Sequence, residues 1–232
     1  MKGTVDNNKG LKSKVILFMG FPGSGKGTQG KILADEGKLN IPHLSTGELY
    51  RKEAEKKTEL GKKMLHYMNL GVPIPNDLTF DYLSNELSSP KYDKGLILDG
   101  YPKQIDHLNF LEKILESQGK EIASVLYFSI KRDEVVKRLK GRLFCSGCES
   151  NFHDRFHPPK VEGKCDRCGL DLFRREDDTE DAINKRLDVF EEKTKPLKKL
   201  FEERGVLVQV DANKNIEQLT NEVLEQTSLV FS

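Results

Sequence analysis

The chain has 232 residues, of which 38 are basic and 37 acidic, giving a formal net charge of +1, and 36% are apolar. That length supports one large core with inserted lobes. The balanced charge excludes a global field drawing the chain to nucleic acid or an anionic membrane, so any anion preference has to come from local clusters.

No apolar run approaches the roughly 18 residues that span a bilayer. The opening residues Met1–Asn8 carry no signal-peptide core, no arginine-rich transit pattern and no glycine at position two, so a cytoplasmic location is expected. Residues 1–14 are polar and read as a loosely held segment. Val15–Met19 is continuous and apolar, which predicts a strand buried on both faces of a parallel sheet. It runs directly into Gly20-Phe21-Pro22-Gly23-Ser24-Gly25-Lys26-Gly27-Thr28, and a helical pattern from Thr28 to Asp35 leads out. Strand, glycine-rich turn, lysine and helix is the layout of a phosphate-binding loop. Glycines let backbone N–H groups crowd inward around an anion. The helix start offers its dipole and unpaired N–H groups to the same anion. Lys26 adds a mobile full charge. Gly27 follows the lysine, so the hydroxyl arrives one place late, at Thr28. An ordinary tight turn would not need these glycines, a proline and a lysine in this register.

Ser45 or Thr46 then caps a helix with Glu48 and Leu49 in its first turn. Leu60–Leu70 is a second helical pattern, Gly71–Pro75 a stiff connection, and Asn76 or Asp77 caps a further helix through Leu87. Residues 45–76 thus read as a helical lobe on the main sheet. Gly95–Gly100 is a strand ending in Asp99, Ile105–Gln118 a helix, Ser124–Phe128 a strand and Asp133–Lys140 a helix. Residues 142–176 turn rich in cysteine, proline and arginine and lose helical period. Acids at 177–181 then open a long helix toward Glu203, where the dipole favours them, with a kink expected at Pro196. Val206–Val210 is the last strand and Ile216–Thr227 the last helix. Such alternation makes an α/β protein with a parallel sheet covered on both faces.

Two further constellations carry chemistry. Asp99, at the end of a buried strand, can hold Mg²⁺ through its waters if it lies beside the phosphate loop; taken alone it would be a cap on the turn at Gly100. Cys145-x-x-Cys148 and Cys165-x-x-Cys168, with 16 residues between the pairs, can close a tetrahedral shell around a structural zinc; free thiols or a redox pair are the lesser alternative. Gly147 and Gly169 suit the turns of such knuckles. His153 and His157 lie between the pairs, find no vacancy in a four-cysteine shell, and are expected at the surface. Arg51, Arg138, Arg142, Arg175 and Arg186 have the forked chemistry that grips phosphate, but spacing alone does not single them out.

Resemblance does. The stretches Gly20–Thr28, Leu44-Ser45-Thr46-Gly47-Glu48, Asp99-Gly100-Tyr101-Pro102, Gly141-Arg142, Pro158–Lys164 and Arg175 to Arg186 make the chain, from Lys14 to about Leu224, similar to the adenylate kinases of the nucleoside monophosphate kinase family. The resemblance implies a three-layer P-loop fold with a central parallel five-stranded sheet, a monophosphate lobe at 45–76 and a lid near 142–177, similar to the zinc-carrying lids of some members. It implies donor-phosphate contacts from Gly23, Ser24, Gly25, Lys26, Gly27 and Thr28, stacking of Arg138 on the donor base, and charge neutralisation by Lys26, Arg142, Arg175 and Arg186. Acceptor contacts would come from Thr46, Arg51, Gly100, Lys103 and His107, and Mg²⁺ would sit near Thr28 and Asp99. Phosphoryl transfer from ATP to AMP, giving ADP, by a monomer follows. The lid length and Thr46 speak against a pyrimidine acceptor, and GTP as donor stays open. Two positions depart from the family pattern: Lys103 replaces the usual arginine and His107 the usual base-reading glutamine. They favour, as an alternative, a nucleotide-binding module of weak catalysis.

Overall fold

The structure, a computed structural model, describes residues 12–35, 39–175 and 178–231; the expectations for residues 1–11 and 176–177 lie outside these. Its centre is a five-stranded parallel sheet of β1 (Ser13–Gly20), β2 (His43–Ser45), β3 (Leu96–Asp99), β4 (Lys120–Ser129) and β8 (Leu207–Asp211), in the order β2-β3-β1-β4-β8. β1 is central and Val15, Ile16, Leu17 and Phe18 are at most 2% exposed, as a strand covered on both faces must be. It starts two residues before the predicted run: the Ser13 N–H donates to the Gly119 carbonyl at 3.0 Å.

Helices α1 (Lys26–Asp35) and α9 (Ile216–Phe231) pack on one face, burying Leu33, Leu219 and Val223 against Ile16, Phe18, Ile97 and Phe128. The other face is covered by α4 (Asn76–Leu87), α5 (Ile105–Ser117), α6 (Arg132–Lys140), α7 (Glu180–Val189) and α8 (Pro196–Glu203), through Leu83, Leu111, Val135, Leu187 and Phe201. This is the three-layer α/β P-loop fold expected from the sequence.

Helices α2 (Thr46–Glu55) and α3 (Glu59–Asn69) form a small cluster of their own around Tyr50, Met64 and Ile74. Ser45 stands at the N-cap of α2 with no side-chain cap bond, and Pro75, rather than Asn76 or Asp77, stands at that of α4. Within the segment 142–176, read as losing helical period, lies a three-stranded antiparallel sheet of β5 (Arg142–Cys145), β6 (Asn151–His153) and β7 (Leu172–Phe173) in the order β6-β5-β7. Its strands are too short to show alternation in sequence.

The long helix expected up to Glu203 is divided by a π-turn at Phe190–Thr194, where the Lys195 N–H donates to the Phe190 carbonyl at 2.7 Å. Pro196 follows as the first residue of α8, a position where its missing N–H is tolerated. The irregularity the proline imposes is therefore absorbed just upstream as one wide turn. That turn packs Phe190 at a tilt against Phe21, with ring centroids 4.4 Å apart, and aims the Thr194 hydroxyl at the Lys103 carbonyl, 2.7 Å away.

Candidate active site

The carboxyl ends of β1, β2 and β3 open on a cleft of about 880 Å³. The phosphate loop forms its floor. Gly20, Gly23 and Gly25 adopt φ of +148°, +83° and +98°. At Gly23 a Cβ would also lie 2.8 Å from Leu139 Cγ, so the loop shape needs glycine for both backbone and space. α1 begins at Lys26, two residues before the predicted start, so its free N–H groups belong to the loop itself. The Lys26 ammonium is tied down: it donates to the carbonyls of Gly20 (2.9 Å) and Phe21 (2.7 Å) and to Ser24 Oγ (3.3 Å). Burial pushes its pKa down, Asp99 opposes and Arg142 adds to the fall. A bound phosphate would take over the role the loop carbonyls play here.

Asp99 ends β3 beside this lysine, 7% exposed, with its Oδ2 3.9 Å from His43 Nε2. Burial acts to raise its pKa; His43, then Lys26 and Lys103, outweigh it and hold the carboxyl below the usual range. Gly27 lies close by: a Cβ there would sit in ordinary contact, 3.5 Å from Asp99 Oδ2. Thr46 Oγ1 donates to the Asp99 carbonyl at 3.1 Å, which fixes the start of α2 to the end of β3.

The arginines named from resemblance, Arg51, Arg138, Arg142, Arg175 and Arg186, all line the same cleft, with Lys103. The near-neutral chain thus gathers these cations, with Lys26, around one cleft. Arg142 binds Asp178 with its fork, Nε to Oδ2 at 2.8 Å and Nη2 to Oδ1 at 2.6 Å, and Arg186 Nη2 reaches Asp178 Oδ1 at 2.7 Å. Burial favours the neutral acid, but the two guanidinium groups dominate and keep Asp178 ionised. Its carboxylate sets two side chains 44 positions apart in one orientation. Arg175 lies over the Phe144 ring at 4.3 Å and donates to Asn151 Oδ1 at 3.2 Å, and Arg138 donates to the Ala212 carbonyl at 2.9 Å. Lys103 sits among Arg186, Arg51 and Lys26; burial first, then those charges, lower its pKa to about 8 against a smaller pull from Asp99.

His107 is placed differently from its sequence reading. It is 3% exposed, is not among the residues lining the cleft, and stacks on Tyr101 with centroids 4.7 Å apart and planes 14° apart. Burial, Lys103 and Lys193 push it down to about 4, so the ring is neutral. His153 corrects the surface expectation. It is buried, its Nδ1 accepts from the N–H groups of Arg155 (2.9 Å) and Phe156 (3.1 Å), and its Nε2 therefore donates to the Lys137 carbonyl at 3.2 Å. Gly141 clears its path: a Cβ there would lie 2.3 Å from the ring.

The four cysteines meet. Cys145 and Cys168 sulfurs are 3.3 Å apart, Cys148 and Cys165 sulfurs 3.4 Å, and all four lie within 4.8 Å of one another. Each pair forms the same knuckle, with Cys145 and Cys165 carbonyls accepting from Glu149 (2.9 Å) and Gly169 (2.8 Å). The left-handed position is thus Glu149 (φ +60°) and Gly169 (φ +75°), not Gly147. Gly147 has another reason to be small, since a Cβ would fall 2.2 Å from Leu170 Cδ1. Glu149 is held in that conformation by Lys31 and Lys52, at 3.7 and 2.7 Å, which links this sheet to α1 and α2; Lys31 also pairs with Glu48 at 2.8 Å.

Asp178, His43 and Glu48 were not assigned roles from the sequence. Asp178 had a local explanation as an acid ahead of a helix, which masks its long-range partners. A phosphate loop at the carboxyl end of a parallel sheet's central strand, facing an arginine cluster across one cleft, defines a P-loop nucleotide kinase.

A family model described as adenylate kinase matches residues 18–206. Among curated proteins, the adenylate kinase of Methanocella arvoryzae is 39% identical over 208 residues, covering 90% of this chain and 95% of its own. Those of Caldicellulosiruptor saccharolyticus and Staphylococcus epidermidis are 38% and 37% identical over 210 residues, each covering 90% of this chain and 97% of theirs. The chain belongs to the adenylate kinase family and is a phosphotransferase of the nucleoside monophosphate kinase type. Among the described residues no helix is long and apolar enough to cross a membrane.

Proposed function

We propose that the chain transfers the terminal phosphoryl group of ATP to AMP, giving two ADP. The reading is carried by one observation: Lys26, Lys103, Arg142 and Arg186 face a single cleft with Asp99, and Asp178 fixes the two arginines. An oxygen of the acceptor phosphate attacks the γ-phosphorus, the bond to the β–γ bridging oxygen breaks, and that oxygen leaves on ADP. Such a transfer needs positioning and charge neutralisation more than a covalent catalyst. Lys26 and the loop N–H groups hold the donor phosphates. Arg142, Arg175 and Arg186 balance the charge of the passing phosphoryl, Arg138 covers the donor base, and Thr46, Arg51, Gly100 and Lys103 hold the acceptor. Sheet β5–β7 is a lid that excludes water as a competing acceptor.

Thr28 and Asp99 offer hard oxygen ligands, directly or through water, and an ionised carboxylate, which fits Mg²⁺; bound there, the ion would neutralise donor phosphate charge. The sulfur cluster fits zinc in a structural role. The Cys148 thiol is pushed down to about 6, because Ser150 and the neighbouring thiols outweigh the opposing effect of burial, which suits a thiolate ligand.

The test is initial-rate turnover with ATP and GTP as donors against AMP, GMP, CMP and UMP. ATP with AMP is expected to give the highest kcat/KM. Preference for GTP would reassign the donor, and nucleotide binding without turnover on any pair would make the chain a nucleotide-binding module instead.

A further inference from the structure

The two cysteine knuckles share a backbone shape and differ at one position. In each, the carbonyl of the first cysteine accepts from the N–H four residues on, Cys165 from Gly169 at 2.8 Å and Cys145 from Glu149 at 2.9 Å. Gly169 and Glu149 are both left-handed, at φ +75° and +60°. A Cβ at Gly169 would meet nothing within 4 Å, so glycine there answers the backbone angle alone. That angle disfavours any side chain, and glycine is its ordinary occupant. Glu149 carries one all the same, and such an outlier points to a use for the side chain. The carboxylate reaches out of its own sheet: Oε1 lies 2.7 Å from the Lys52 ammonium on α2, and Oε2 3.7 Å from that of Lys31 on α1. Lys31 completes the node. It donates to the Glu149 carbonyl at 2.7 Å and pairs with Glu48 of α2 at 2.8 Å. Lys31 and Glu48 are largely buried, whereas Lys52 is exposed. Lys31, Lys52 and Glu149 are not among the residues lining the cleft, so they hold its walls rather than its contents.

Resting on the reading of sheet β5–β7 as a lid, we propose that Glu149 is a positioning residue that latches the lid to α1 and α2 and so sets how readily the cleft opens. Its ion pairs exist only while the lid lies against those helices, so they favour the closed state. Nucleotides enter and leave through the open one.

The experiment reads the lid-to-lobe distance in the whole protein, without nucleotide, by energy transfer between two dyes. The dyes are carried on azide-bearing residues placed at Lys63 on α3 and Val161 in the lid segment, both exposed, so the cysteines stay unlabelled. In the parent, transfer should fall between about 0.1 M and about 1 M salt, as screening weakens the node. Glu149→Gln and Glu149→Gly should show the lower transfer already at the lower salt and respond little to more. KM for ATP and for AMP should rise roughly twofold to fivefold in both, the range for one partly exposed ion pair, with kcat not lowered. Glu149→Gly separates latch from turn: it gives the knuckle its ordinary residue, so melting temperature and metal content should hold or rise while the lid opens. Lys52→Met, outside the knuckle, should also open the lid and add little to Glu149→Gln in the double variant, which keeps the test available if a knuckle variant folds poorly. Parent-like transfer and salt response in the Glu149 variants overturn the proposal. So does an opening in Glu149→Gly that comes with lost metal and a lower melting temperature, which would make Glu149 part of the knuckle only. A parent that makes no ADP fails the kinase reading, a separate result, and the distance measurement still decides the latch.

Discussion

Lys103 stands where a fixed guanidinium would be expected, and the structure gives the substitution a measurable signature. Burial and the charges of Arg186, Arg51 and Lys26 bring its pKa to about 8 in the free protein. The sign follows directly. Below that value the ammonium is charged and can grip the acceptor phosphate; above it the side chain goes neutral, and an arginine in its place would not. At about pH 9, one unit higher, only about a tenth of the lysine stays charged. Because kcat/KM reports ionisations of the free enzyme, kcat/KM for AMP should be level to about pH 7.5 and fall roughly tenfold by about pH 9. The KM for ATP should move much less. Lys103→Arg should remove the fall and, by restoring the planar fork, raise kcat/KM for AMP at neutral pH. Coupled initial-rate assays over that range, on both proteins, decide it. An equal alkaline fall in Lys103→Arg would assign the titration to another group, such as the buried Lys26. Rates already typical of the family in the parent, unchanged by the arginine, would show that Arg51 or a lid arginine holds the acceptor phosphate.

Lys26→Met should fold with an unchanged circular dichroism spectrum yet lose roughly 10²–10³ in kcat, since it removes one preorganised charge contact; near-normal turnover would detach the loop from the chemistry. Asp178→Ala frees Arg142 and Arg186 from their shared partner, and the misplacement should lower kcat by up to about 10²-fold while donor binding measured by calorimetry changes little; unaltered kcat would mean the arginines are oriented without it. Replacing Cys145 and Cys148 by serine should lower the melting temperature and abolish a zinc content of one per chain, leaving the central sheet folded; metal analysis of the parent that finds no zinc, with four titratable thiols, would refute the metal reading.

What the sequence revealed was what is local. The loop from Gly20 to Thr28 announces itself because its glycines, lysine and flanking strand are contiguous, and the cysteines because each pair is its own knuckle. Asp99 was legible as the end of an apolar run. β2 was not, since three residues ending in Ser45 carry no period. Asp178 was not, because its role depends on Arg142, 36 positions earlier, and on Arg186, eight positions later. His107 shows the converse: its position in the motif matched, but the imidazole stacks on Tyr101 and is buried there, outside the cleft lining.

The wide turn at Phe190–Thr194 has a meaning for anyone redesigning this protein for heat tolerance. Regularising it, by deleting one residue so that α7 runs unbroken into α8, is an obvious stabilising change on helical grounds alone. Each residue of a helix turns the chain through about 100°, so the deletion would swing Thr194 off the Lys103 carbonyl and Phe190 off Phe21. Ruggedness and site geometry part company at that one turn: the irregular hydrogen bonding is what anchors the backbone of Lys103, proposed above to hold the acceptor, and braces the phosphate loop at Phe21.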